Sequence, residues 1–386
     1  MLGLSILSAV LAASSAAAMF IPADPSFQGN ATHGINGPRK LGKRCTGTIQ
    51  SLADVAAAEQ CTTIVIGGFT VPAGQTFTLS PPDGAVVTLT GAITFGFANW
   101  AGPLMVVTGN NINFNGNGHE LVGQGELYWD GLGGNGGVVK PAPLLRINCG
   151  GTFQNLKVVN TPARAVAIGG SSLTVSSINI DNSAGDAPNS KSGGSAAGHN
   201  TDGFDISANN VIVQNSQVRN QDDCLAINRG TNITFQSNTC SGGHGISVGS
   251  IGSGVTISNV HITSNTVTAK HAFTNGLRIK TTATSTGSTV SNVVYTNNRL
   301  SGITQFGVLI DQSYPATLGT PGTGVLINTV TFSGTNTISV GSAAKRVEVN
   351  CASLSTCSGT WNFAGLTVTG GAVGAVKNAP VTGGSF

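Results

Sequence analysis

Two aspartates stand side by side in "NQDDCLAINRG", Asp222 and Asp223, in a chain where only 9% of residues are charged. Asp202 and Asp205 precede them in "NTDGFD", so four of the chain's 15 acidic residues fall between positions 202 and 223. His244 follows in "GGHG", and Arg278 and Lys280 in "GLRIK". From Asp202 to Asp223 is 21 residues, and from Asp223 to His244 again 21. A lone Asp-Asp pair is ordinarily a turn or a solvated surface, an Arg-x-Lys an exposed strand face, and a cluster of aspartates a possible calcium ligand set. Independent surface charges, however, have no reason to recur at one spacing. Carboxyls packed together disfavour joint ionisation, so at least one pKa rises. One protonated and one ionised carboxyl are what glycosidic hydrolysis needs: an acid for the leaving oxygen, and a base or nucleophile for the carbon. Cations beside them suit an anionic sugar, so the pattern points to an acidic polysaccharide.

The same spacing runs through the elements that must carry these residues. "NVIVQNSQV" begins at Asn210, "NITFQSNTC" at Asn232, "NVHITSNTV" at Asn259 and "NVVYTNNRL" at Asn292, at intervals of 22, 27 and 33 residues. Each unit alternates apolar residues, bends at Asn or Ser, and starts a second short strand. Gly is 55 of 386 residues with no three-residue period, which excludes collagen and suits strands joined by turns. Irregular repeats longer than twenty residues predict a solenoid with a shared core and loops of varying length. The expected fold is all-β, a right-handed parallel β-helix over residues 45–386. A β-sandwich is the alternative. Neighbouring β-helix strands lie ~4.8 Å apart, which would place Asp202, Asp223 and His244 in one patch. Arg278 and Lys280 would both face outward from their strand, with Ile279 inward. "SLADVAAAEQ", residues 51–60, carries Ser51 and Asp54 in a capping-box pattern before an Ala-rich run, and predicts a short helix capping the amino-terminal end.

Residues 1–18 are apolar and end in Ala16-x-Ala18, a secretory signal-peptide pattern. Residues 19–44 end in the dibasic pair Lys43-Arg44 and are expected to be a pro-peptide. They and the signal peptide hold four basic residues and one acid, so the mature chain has 14 of each and no net charge. Overall basicity therefore argues for no nucleic-acid partner, and no later apolar run reaches the length of a membrane span. Secretion makes disulfides reasonable among the seven cysteines. Pairing of sequence neighbours would give Cys45–Cys61, Cys224–Cys240 and Cys351–Cys357 and leave Cys149 over, although spacing alone does not fix connectivity. No zinc-type Cys/His spacing occurs. Asn232-Ile-Thr is a glycosylation sequon.

"NTDGFD", "QDDCLAIN", "GGHGISVGSIG" and "RIK", in this order, resemble the four motifs of the polygalacturonases, glycoside hydrolase family 28. "LYWDGLGGNGG" at 127–137 and "GVLIDQSYP" at 307–315 extend the likeness to essentially all of 45–386. The resemblance implies an endo-acting, secreted, monomeric enzyme that hydrolyses α-1,4-galacturonosyl bonds of de-esterified pectin with inversion and without a metal or other cofactor. Exo-polygalacturonases and xylogalacturonan hydrolases share such motifs and are the alternatives. Carried onto this chain, the resemblance makes Asp222 the general acid, Asp202 and Asp223 the pair that activates water, and His244 the residue that tunes the acid. Arg278, Lys280 and Tyr314 would hold sugar, and Asn200, expected on one strand face with Asp202, would orient either Asp202 or the substrate. Fungal relatives often carry another cysteine pair near the C-terminus, whereas none follows Cys357 here, which puts the tie-down of the last residues in question. The stretch 186–198, flexible in composition, is expected at a groove rim.

Overall fold

The structure, a computed structural model, describes residues 40–270 and 274–386. The expected signal peptide and residues 19–39 of the expected pro-peptide lie outside the described residues. Among those described, 29 strands pair in parallel and wind into a right-handed β-helix. One inward row shows why the sequence folds this way. Met105, Leu145, Val166, Phe204, Leu225, Ile246, Leu277, Val308 and Val347 are in register on successive coils. Each is at most 1% exposed. Alternation sends every second side chain to this core, and stacking like on like buries it without a second layer. Aromatic residues obey the same rule: Phe114 stacks on Phe153 at 4.0 Å and Tyr295 on Phe332 at 4.7 Å between ring centroids.

The Asn residues that open the repeats form a ladder on the outside. Asn232 Nδ2 donates to Asn210 at 2.9 Å, Asn259 to Asn232 at 3.0 Å and Asn292 to Asn259 at 2.9 Å. All four have left-handed backbone, φ 53–57°, which Asn tolerates better than most residues. The sequon residue Asn232 is exposed within this ladder. A second ladder, Asn238, Asn265, Asn298 and Asn336, is buried at another corner.

The amino-terminal helix is shorter than expected, a 3-10 turn at Leu52–Asp54 running into Val55–Ala58. Ser51 does not cap it. Instead the Asp54 carboxylate accepts Ser51 Oγ and the Gln50 N–H, both at 3.0 Å, so it reaches back one residue beyond the cap position. The helix still closes the end of the core, burying Ala58. At the other end the chain is tied down without a cysteine pair. Val376–Lys377 and Val381–Thr382 add parallel bridges, and the Phe386 ring packs 6.1 Å from that of Phe363.

Disulfides join Cys45–Cys61, Cys224–Cys240 and Cys351–Cys357. Cys149 is free and sealed in the core, where burial pushes its thiol up to about 12, so it is inert at ordinary pH. No described helix is long and apolar enough to cross a membrane.

Candidate active site

The two neighbouring aspartates do not sit on a strand. Gln221–Cys224 make the corner between the strands Gln217–Asn220 and Leu225–Gln236, which frees both carboxyls from strand alternation. The register Phe204–Leu225–Ile246–Leu277 runs two residues downstream of Asp202, Asp223, His244 and Asn275, so the 21-residue spacing does stack the first three. All of them enter the sheet at the same corner, and the Cys224–Cys240 bond joins the chain leaving Asp223 to the chain approaching His244. Two glycines make the histidine turn possible. Gly243 and Gly245 have φ of +57° and +83°, and a Cβ on either would collide with backbone oxygens of the adjacent coils, those of Asp222 and of Asn275 and Gly276.

Asp222 is only 6% exposed, and every bond it makes favours its charged form. Oδ1 accepts its neighbour's N–H, from Asp223, at 2.7 Å and lies 2.9 Å from His244 Nδ1; Oδ2 accepts Asn200 Nδ2 at 2.8 Å. Burial alone would raise its pKa. The charge and hydrogen bond of His244, with Lys280 and His199 behind, outweigh burial and hold the carboxyl well below the usual range. Asp202 goes the other way: burial, then the charges of Asp222, Asp205 and Asp223, hold it well above. In the free protein burial and crowding thus raise Asp202, and its neighbour Asp205, rather than Asp222.

Asp223 is clamped. Its Oδ1 accepts Arg278 Nη2 at 2.6 Å and Ser247 Oγ at 2.9 Å, and its Oδ2 accepts Lys280 Nζ at 2.7 Å. Arg278 and Lys280 lie on the strand Leu277–Thr282 with Ile279 between them in the core, as alternation predicts. Both reach back to Asp223 and are far less exposed than outward-facing cations usually are, at 12% and 11% of their side chains. A guanidinium has five N–H donors and an ammonium three, so each keeps donors for a second carboxylate. Tyr314, half-buried, places its ring 5.3 Å from Lys280 Nζ.

Asn200 is not on a strand face with Asp202. It sits in a bend at φ +51°, and that turn aims its amide at Asp222. The stretch 186–198 is also more constrained than its composition suggests. Asn189 Nδ2 donates to Trp129 O at 3.0 Å and Gly198 N to Gly185 O at 2.9 Å. Gln221 Nε2 holds Asp186 at 2.6 Å, while its Oε1 accepts Thr201 Oγ1 at 2.8 Å.

Ser247 is a site residue that the sequence reading missed. It bridges Asp223 to Arg278, whose Nε donates to Ser247 Oγ at 3.0 Å. The signal was available: it lies three residues after His244, in register with Arg278. A divalent ion fits this cluster poorly. Asp222, Asp223 and His244 offer atoms within 4.8 Å of one another, but Asp222 is engaged by the histidine and Asp223 already neutralises two fixed cations that would repel a metal.

Residues 61–384 match the sequence profile described as Glycosyl hydrolases family 28. A probable endopolygalacturonase A of Aspergillus fumigatus is 42% identical over 340 residues, 86% of this chain and 88% of its own. Endopolygalacturonase 1 of Colletotrichum lindemuthianum is 41% identical over 339 residues, 85% of this chain and 88% of its own. Among solved structures, endopolygalacturonase I from Stereum purpureum, complexed with two galacturonates, superposes with a TM-score of 0.83 at 48% identity, covering 88% of this chain and 99% of that one.

Proposed function

The chain belongs to glycosyl hydrolases family 28, and on that premise we propose that it is a secreted, single-chain endopolygalacturonase that hydrolyses α-1,4-galacturonosyl bonds within polygalacturonate, with inversion. The observation that carries the reading is the corner itself. Asp202, Asp222 and Asp223 meet there, and Arg278 and Lys280 stand next to them with donors to spare. Relatives above 40% identity with endopolygalacturonase names support endo action over exo action or xylogalacturonan cleavage.

The roles follow from how the charges depend on one another. His244 Nδ1 and Asp222 Oδ1 lie 2.9 Å apart, close enough to pass a proton. A galacturonate ring entering the site brings a negative charge and displaces water. Both changes disfavour a charged carboxylate at Asp222, which takes up a proton and becomes the acid that protonates the leaving oxygen. Once Asp222 is neutral, Asp202 loses the largest charge that holds its proton on, and releases that proton to solvent. Asp202 and Asp223 then orient and deprotonate the attacking water. Arg278 and Lys280 hold a substrate carboxylate, and Tyr314 packs against the same sugar. The test is incubation of the secreted protein with polygalacturonate in excess chelator. New reducing ends are expected, and their absence ends the proposal.

A further inference from the structure

A second ionic centre lies outside the corner, in the loop that follows Trp129. Lys140 is 8% exposed, and its ammonium is fully engaged. Nζ donates to Asp130 Oδ2 at 2.9 Å and to the carbonyls of Gly133, Val138 and Gly136 at 3.0, 3.1 and 3.4 Å. Asp130 in turn accepts the N–H groups of Leu132 at 3.0 Å and Val138 at 3.3 Å. A buried ammonium spent on three carbonyls of one short loop fixes the shape of that loop. The shape has a consequence. Gly134 N donates to Asn200 Oδ1 at 3.1 Å, and Asn135 Nδ2 lies 3.2 Å from His199 Nε2. With its oxygen held by Gly134, the Asn200 amide has one orientation, and its nitrogen donates to Asp222 Oδ2 at 2.8 Å.

We propose that Lys140 is a positioning residue for the reaction: through Asp130 and the loop 130–140 it aims the Gly134 N–H, and so sets the Asn200 amide that orients Asp222. The inference rests on the functional reading above. Without the clip the amide is free to turn its oxygen toward Asp222, which exchanges an attraction for a repulsion. Asp222 is faced by His244 from the next coil, by Asp202, Asn200 and His199 from the preceding one, and by Asp223 and Lys280 beside it. Of these the loop touches two, Asn200 through the Gly134 N–H and His199 through Asn135, and only Asn200 bonds Asp222 directly. Losing a donor to a carboxylate raises its pKa. Asp222 must be protonated to act, so the alkaline limb of the rate profile moves to higher pH as the rate itself falls.

The test is a double-mutant cycle on the secreted enzyme with polygalacturonate: Lys140→Met, Asn200→Ala and the pair, each with a pH profile and a Tm. Lys140→Met is expected to cost about tenfold in kcat/KM and to move the alkaline limb upward, as a small misplacement of a reacting group does. In the Asn200→Ala background it should cost less than about twofold, because contacting residues are not additive. If Lys140→Met does not fold, Gly134→Pro removes the single N–H and is expected to move the same limb. Additive losses, or a lower Tm with an unmoved limb, overturn the inference while leaving the hydrolase reading standing. An unsubstituted enzyme that does not hydrolyse polygalacturonate sinks that reading and the inference with it.

Discussion

Two columns of polar side chains climb this solenoid at the spacing of its coils, and they differ in what they leave unfinished. In the buried ladder each Asn is satisfied. Asn298 Nδ2 donates to Asn336 Oδ1 and to the Ile262 carbonyl, and its Oδ1 accepts the N–H of Asn265 and its side-chain amide. The column is neutral, so repeating it coil after coil costs nothing in charge. The acidic corner stacks Asp202, Asp223 and His244 in the same way, but like charges accumulate and are balanced unevenly. Asp223 takes two cations, Asp222 takes His244, and Asp202 is left to burial and repulsion. One ladder spends its hydrogen bonds on holding coils together. The other leaves its charges unevenly balanced around three carboxyls.

The contrast can be broken from either side. Asp222→Asn keeps the volume and removes the acid. It should lower kcat by about 10³-fold, within the range of general acid catalysis, with Tm nearly unchanged, as read from initial rates and thermal melts of one preparation. Lys280→Met leaves Asp223 with a single cation and the substrate with one anchor. About 10²-fold in kcat/KM is expected, with some loss of stability, since removing one partner of a buried pair strands the other. Asn298→Ala should do the reverse of Asp222→Asn. It leaves buried groups unpaired on both sides, at about 2–3 kcal/mol of stability, measurable in urea, while kcat per folded molecule stays unchanged.

The smallest effect concerns Asp205, which burial and the charges of Asp223 and Asp222, partly offset by Arg164, push from 3.8 to about 6. A raised carboxyl binds its proton more tightly when folded, so its stabilisation is present below the unfolded value and is lost as pH rises through about 6. Asp205→Asn should therefore flatten the decline of stability across that window, and an unchanged slope would contradict the assignment.

Much of this was legible because a solenoid writes its geometry into spacing. The outer ladder at Asn210, Asn232, Asn259 and Asn292 and the 21-residue rows both came from counting, and both hold in three dimensions. What counting could not supply is where a chain leaves its strand. Asn200 sits in a left-handed bend, and only that bend turns it toward Asp222 rather than along a strand with Asp202. Nor does alternation reveal that Arg278 and Lys280, though outward, fold back onto Asp223. The loop 186–198 misled for a related reason. Its Gly, Ser and Ala suggest freedom, while its restraints come from Gln221 and Trp129, distant in sequence.

The charged corner cleaves polygalacturonate internally, and the roles proposed for it use carboxyls rather than a metal. The direct measurement is the time course of product lengths from polygalacturonate in excess chelator. A ladder of saturated oligomers is expected early in the digestion. Galacturonate monomer as the sole early product, unsaturated products, or no new reducing ends would contradict it.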